Sequence, residues 1–159
     1  VEQTRIIKME ERHVDEAACF IARVLDEPKE VTCQDLEDFL DWDDEEVLLL
    51  VVETGDGRFA GVAGVIYEEW NDTSTIEWIG LIPELRGQRI GTDLLDRMIE
   101  WTRAQGGRKI YVDTGVEEVK ALAFYEKKGF SREALLKDWY RDGDDAVLLS
   151  LRVTEPRSG

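Results

Sequence analysis

Histidine occurs once in these 159 residues, cysteine twice and proline three times, while 20 lysines and arginines face 36 aspartates and glutamates. Each scarcity excludes something. A single histidine, His13, and two cysteines, Cys19 and Cys33, without C-x-x-C spacing argue against a zinc site and a disulfide framework, so no metal is expected. Both cysteines fall in segments of helical period, where they read as buried thiols of a reducing compartment, and His13 reads as a helix-surface residue. No G-x-S-x-G stretch or Ser/His pairing supports a hydrolase. The formal net charge of -16 removes the cationic surface on which general nucleic-acid binding rests. The longest apolar runs, such as "VLLLVV", fall far short of the roughly 20 residues of a membrane helix. The first ten residues, "VEQTRIIKME", have no cationic start leading into an apolar stretch. Together these absences predict neither export nor membrane insertion, with the cytoplasm as the expected location.

What is present is a chain with 43% hydrophobic and 35% charged residues, enough to bury a full core, and one domain spanning 1-159 is expected. The acidity has two readings: a solubilising surface, suited also to a saline cytosol, or an entrance that attracts a cationic substrate. The run "DLEDFLDWDDEE", Asp35 to Glu46, is where the second would matter. Period and turn signals set the order of elements. "TRIIKM" is a short strand, and Val14, Ala17, Ala18, Ile21, Val24 and Leu25 repeat at helical spacing up to Pro28. Thr32 with Asp35 resembles a cap for a second helix that buries Leu36, Phe39 and Leu40. "EVLLLVVE" and "RFAGVAGVIYEEW" are strands joined by the hairpin signal "TGDG", and "TSTIEWIGLI" is a third. A helix from about Thr92 to Gln105 is apolar at Leu94, Leu95, Met98 and Ile99 and closed by Gly106 and Gly107. "RKIYVDTG" is a strand, "EEVKALAFYEKK" a helix stopped by Gly129, and "SREALLKDWY" and "DAVLLSLRV" pair around "RDGD", leaving a frayed tail "TEPRSG". Trp42, Trp70, Trp78 and Trp101 read as core or interface residues. The order β-α-α-β-β-β-α-β-α-β-β predicts an α/β (α+β) protein with a mixed, mainly antiparallel sheet of six or seven strands and helices on both faces.

The stretch "LIPELRGQRIGTDLL" stands out in so acidic a chain. A strand ending at Ile82, a breaking Pro83 and a helix starting near Gly91 put "RGQRIGT" where unpaired backbone N-H groups point away from the helix start. Gly87 and Gly91 remove Cβ atoms that would block close approach, and Arg86 and Arg89 add charge-assisted contacts to phosphate oxygens. The turn is thus a local cationic island able to hold a pyrophosphate against the protein's own field. Neither G-x-x-x-x-G-K-[ST] nor G-x-G-x-x-G is present, which disfavours ATP and NAD.

The turn resembles the Q/R-x-x-G-x-G/A signature of the GNAT N-acetyltransferase superfamily. Here it reads Arg86, Gly87, Gln88, Arg89, Ile90, Gly91, with Thr92 following and Arg89 standing at the usual central glycine. A second stretch, "ALAFYEKKGF", is similar to the family's A-x-x-x-[FY]-Y-E-x-x-G-F segment. The resemblance extends over about the whole chain in element order. It implies a GNAT fold, acetyl-CoA as co-substrate wrapped at its pyrophosphate by the turn, and direct attack of an amine. It also implies pantetheine pairing with the backbone of Gly80, Leu81 and Ile82, and a cofactor-holding Asn at the position of Glu118, where a carboxylate cannot donate as an amide does. Tyr125, in register with the motif tyrosine, is the candidate acid for the departing thiolate, since a phenol near pKa 10 donates without being ionised at neutral pH. The base is Asp113 by similarity to the ribosomal-protein-alanine branch, Glu77 by similarity to others, or a water relay. "KDWYRDGDDAVLLSLRV" resembles the ending of protein N-terminal acetyltransferases, with Trp139 and Tyr140 as paired aromatics. That ending favours a protein or peptide amino group as acceptor. A small cationic amine such as a polyamine, and a non-catalytic acyl-CoA sensor, are the alternatives, and families of this kind frequently dimerise.

Overall fold

The computed structural model describes residues 3-25 and 28-155. Its strands are β1 (Thr4–Lys8), β2 (Val47–Thr54), β3 (Phe59–Glu68), β4 (Thr73–Leu81), β5 (Lys109–Gly115), β6 (Ser131–Arg141) and β7 (Asp144–Arg152). Its helices are α1 (Val14–Leu25), α2 (Lys29–Leu40), α3 (Ile90–Ala104) and α4 (Val119–Lys127). One seven-stranded sheet runs in the order β1-β2-β3-β4-β5-β7-β6. β1 with β2, β2 with β3, β5 with β7 and β6 with β7 are antiparallel, whereas β4 joins β5 in parallel over Thr73–Thr75 and Lys109–Tyr111. The expected mixed, mainly antiparallel sheet is therefore present.

The chain divides into two compact units, Val1–Ile66 with Glu77–Glu100 and Tyr67–Ile76 with Trp101–Gly159. In the first, all eight residues of β2 are buried, which is why "VLLLVV" lacks alternation: a strand covered on both faces has no polar side. Ala17, Ala18 and Ile21 of α1 and Leu36 of α2 pack with Leu49 and Val51 of that strand. Gly61 lets β3 approach the end of β4 closely, because a Cβ there would lie 2.7 Å from the Gly80 carbonyl and 2.6 Å from a Leu81 methyl carbon. In the second unit, Ile110 and Val112 of β5 alternate inward with Leu149 of β7, and Leu122 and Tyr125 of α4 are buried.

Several expectations need correction. α2 starts at Lys29, with Pro28 in the N-cap position at φ -61, so Thr32 is a fully buried residue inside the helix and not its cap. The fixed φ of proline suits the entry to a helix as readily as the exit from one. Cys19 is exposed and Cys33 half-buried, so neither is the buried thiol expected; both are free. Trp70 is 82% exposed and Trp42 is 42% exposed, outside the core. The frayed tail falls largely outside the described residues.

His13 is the largest departure. It ends a short 3-10 helix, Glu11–His13, and is buried, not on a helix surface. Its Nδ1 accepts the Glu10 backbone N-H at 2.9 Å, which leaves Nε2 to donate to Glu53 Oε1 at 2.8 Å. Glu53, on β2, also accepts from Arg5 Nε at 2.9 Å and Arg12 Nη1 at 3.0 Å. The His13 hydrogen bond, then those of Arg5 and Arg12, hold the Glu53 carboxyl down at about 2, against the upward push of burial. A charge inside the fold is tolerated because every neighbour is a donor.

Candidate active site

In the first unit, β4 ends at Leu81 and the chain is pinned at once, with Ile82 N-H donating to the Ala60 carbonyl at 2.9 Å. Pro83 then opens a single 3-10 turn, Pro83–Leu85. Leu85 and Ile90 are buried, and the four residues between them, Arg86, Gly87, Gln88 and Arg89, are exposed. Two apolar anchors thus present a polar loop at the start of α3. Gly87 has φ +82 and Arg89 has φ +62, so the arginine at the family's glycine position keeps the left-handed backbone. The first helical bond runs from Asp93 N-H to the Arg89 carbonyl at 3.0 Å. The N-H groups of Ile90, Gly91 and Thr92 precede it and have no acceptor within the helix. Arg86 Nε lies 3.4 Å from the Leu81 carbonyl and Gln88 Nε2 3.3 Å from the Glu84 carbonyl. These are long contacts that leave both side chains able to turn to an anion. Two left-handed residues on either side of Gln88, followed by N-H groups with no acceptor within the helix, fit a polyanion such as pyrophosphate.

Arg89 carries a conformational cost. A left-handed L-residue loses about 1–2 kcal/mol, and glycine returns about 0.5–1 kcal/mol of that as chain entropy. Arg89→Gly is therefore expected to raise stability by about 0.5–1 kcal/mol, roughly 1–4 °C in Tm. Thermal melts check it; lower stability would show that the arginine side chain holds the turn.

Gly80 admits a neighbour that any Cβ would exclude, since that atom would come within 2.8 Å of the Phe20 ring of α1. Glu77 is exposed on β4.

In the second unit, Tyr125 is 4% exposed, its ring centred 5.2 Å from Phe124 and 5.4 Å from Phe130. Gly129, at φ +97, closes α4, and Phe130 N-H returns to the Tyr125 carbonyl at 3.1 Å. The "YEKKGF" string therefore seats the tyrosine and the phenylalanine that packs on it. Burial, and then the Asp113 charge, push the Tyr125 phenol well above its ordinary value. Asp113 on β5 accepts the Tyr140 hydroxyl at 2.7 Å, and burial followed by this bond raises Tyr140 as well. Asp113 thus holds one phenol by a hydrogen bond, and its charge adds to the burial that raises the other.

The Asp113–Tyr140 pair was not legible in the sequence, and its cause is a bulge. Between Leu136 and Arg141 β6 loses register with β7, and Asp138 adopts φ +50. Asp145 organises the distortion, accepting the Asp138 N-H and the Lys137 ammonium, each at 2.9 Å, while the Asp138 carboxylate accepts Gly143 N-H at 2.6 Å. Trp139 and Tyr140 are left 55% and 42% exposed. The sequence signal that pointed there is the stretch "KDWYRDGDDAVLLSLRV", by its resemblance to the ending of protein N-terminal acetyltransferases. Glu118 caps α4, exposed, with its carbonyl accepting Leu122 N-H at 2.9 Å.

No described helix is long and apolar enough to cross a membrane. Comparison with known proteins agrees with the features of both units. Over 121 residues the chain is 29% identical to streptothricin acetyltransferase of Streptomyces lavendulae, covering 74% of this chain and 64% of that protein. Over 109 residues it is 30% identical to the putative [ribosomal protein bS18]-alanine N-acetyltransferase of Bacillus subtilis, covering 67% and 69%. The solved ribosomal-protein-S18-alanine N-acetyltransferase of Escherichia coli superposes with a TM-score of 0.76 at 18% identity, over 98% of this chain and 97% of that one, a likeness of fold. The model of the acetyltransferase (GNAT) family matches residues 12–130. With three quarters of its length inside that match, the chain is a member of the acetyltransferase (GNAT) family.

Proposed function

We propose that the protein, as one domain over 1-159, is an acetyl-CoA-dependent N-acetyltransferase acting on a primary amine by direct attack. The observation that carries this is the loop before α3, whose left-handed backbone persists at Arg89 although glycine is absent there. Arg86, Gly87, Gln88, Arg89, Ile90, Gly91 and Thr92 would hold the pyrophosphate through N-H groups and guanidinium charge. The backbone of Gly80, Leu81 and Ile82 would pair with pantetheine as an added strand does. Bound there, acetyl-CoA supplies the activated acyl group. Tyr125 donates a proton to the departing sulfur, and its raised pKa keeps the phenol protonated at neutral pH. Asp113 is preferred over Glu77 as the base, directly or through water, because it already lies beside the hydroxyl of Tyr140. Glu118 cannot replace an amide donor by its side chain.

The acceptor proposed first is a protein or peptide amino group. The exposed Trp139 and Tyr140, the latter donating to Asp113, suit an extended chain ending in an amine. A small cationic amine is the second reading, favoured by the exposed acidic stretch Asp41 to Glu46. We place the enzyme in the cytoplasm, with dimerisation as its assembly.

Thiol release from acetyl-CoA, measured with N-terminal peptides, basic peptides, polyamines and small amines, tests all of this. Release with peptides supports the first reading, and release with polyamines, suppressed by salt, supports the second. CoA binding without turnover across the panel would favour an acyl-CoA sensor instead.

A further inference from the structure

The hairpin of β6 and β7 joins two residues that strand pairing alone would keep apart. Asp113 of β5 pairs with Leu148 of β7, and Leu148 with Ala134, so Ala134 is the residue of β6 level with Asp113. Tyr140 lies six residues beyond Ala134, a distance of about 20 Å in a regular strand. Its hydroxyl nevertheless donates to Asp113 Oδ2 at 2.7 Å. The register holds the reason: between Leu136, opposite Ala146, and Arg141, opposite Asp144, four residues of β6 face the single Asp145 of β7. Asp145 folds that surplus. Its carboxylate, with the side chain 17% exposed, accepts the Asp138 N-H and the Lys137 ammonium, each at 2.9 Å. The Asp138 N-H, and then the Lys137 ammonium, hold the Asp145 carboxyl below its ordinary value. Asp138, left-handed at φ +50, turns the chain back by accepting the Gly143 N-H at 2.6 Å. The Asp145 carbonyl accepts Val116 N-H at 3.2 Å, which fastens the bulge just past the end of the strand that carries Asp113.

We propose, resting on the reading of Asp113 as the base, that Asp145 is a positioning residue of acyl transfer. By folding the surplus of β6 it sets the Tyr140 hydroxyl on Asp113, so that the carboxylate keeps one orientation and receives the proton of the amine on its other oxygen. Asp145 acts on Asp113 through Tyr140, and this gives the effect a recognisable sign. A hydrogen bond to the charged form favours that form, so loss of the Tyr140 hydroxyl makes Asp113 easier to protonate. Loss of the nearby negative charge of Asp145 has the opposite direct effect. The other titratable groups around the pair, Tyr125 on α4, Glu118 at its start and Asp144 on β7, stay in place in every variant below.

Carbon-13 NMR of the carboxyl groups of the full chain, titrated from pH 3 to 7, tests this without an acceptor. The signal absent from Asp113→Asn identifies Asp113. Tyr140→Phe is expected to move the Asp113 midpoint up by about 0.5–1 pH unit. Asp145→Ala should also move it up, against the direct effect of the lost charge, and the double variant should move it no further than Tyr140→Phe does. Asp145→Asn, which keeps an acceptor for the Asp138 N-H, should return it towards the wild type. Tyr140→Phe keeps its ring at an exposed position, so the pair is tested even where Asp145→Ala disturbs the fold. A midpoint unmoved by Tyr140→Phe, one that does not rise in Asp145→Ala, or additive shifts in the double variant would overturn the proposal and leave Asp113 as the base untouched. Full thiol release by Asp113→Asn with the peptide panel would instead strike Asp113 as the base, and with it the purpose given to Asp145, even where the coupling is found.

Discussion

Tyr125→Phe is expected to lower kcat by about 100-fold or more, the lower end of what a positioned proton donor contributes, while CoA affinity changes less than about twofold. The substitution removes one hydroxyl and keeps the ring that packs on Phe124 and Phe130, so the fold and Tm should hold. A phenol is a donor only while neutral, and burial with the Asp113 charge has raised this one above its ordinary value. Raising the pH through the ordinary tyrosine range should therefore cost the wild type no activity by loss of this proton. Steady-state kinetics from pH 7 to 10, with CoA binding measured separately, check both parts. An unchanged kcat in the variant would remove Tyr125 from the mechanism and leave it a packing residue. A wild-type rate that collapsed near pH 10 while Tyr125→Phe did not would show that the phenol ionises normally.

His13→Ala should strongly damage stability, costing about 3 kcal/mol, or roughly 6–12 °C in Tm. The change empties a buried imidazole site, frees the Glu10 N-H and removes the first of the donors that hold Glu53 ionised. Its pH dependence follows from the sign of the Glu53 shift. The carboxyl is depressed in the folded protein, from the ordinary 4.5 to about 2, so its contribution is complete above the unfolded value and is lost as pH falls from 4.5 towards 2. Without His13 the folded value moves back up and less remains to be lost. The Tm difference between wild type and variant should accordingly shrink between pH 5 and pH 2. Melts across that range check it, and a difference that stayed constant would mean that packing, and not the Glu53 network, carries the effect.

Features governed by neighbours in sequence are readable from the sequence itself. Periodicity placed every strand and helix to within a few residues, because a buried face imposes its repeat on the chain. Pro83, Gly87 and Gly91 marked a turn whose local sterics hardly depend on what lies elsewhere. The string from Tyr125 to Phe130 encoded a helix exit closed by its own backbone. The errors are of the opposite kind. His13 looked like a surface residue because its partner, Glu53, is 40 positions away, and only the pairing of β1 with β2 and the turn into α1 bring the donors to that carboxylate. Thr32 looked like a cap because the cap motif is short and common, and only the observed entry at Pro28 shows it inside the helix. Asp113 and Tyr140 were separate suggestions 27 residues apart until the bulge in β6 joined them. The sequence alone therefore determined the order of elements and the cationic loop, which rest on local period and backbone freedom, while the family fold came from the resemblance of its motifs. Which polar groups are buried and whom they contact was settled by long-range strand pairing, since burial is a property of surfaces that come together only when the chain folds.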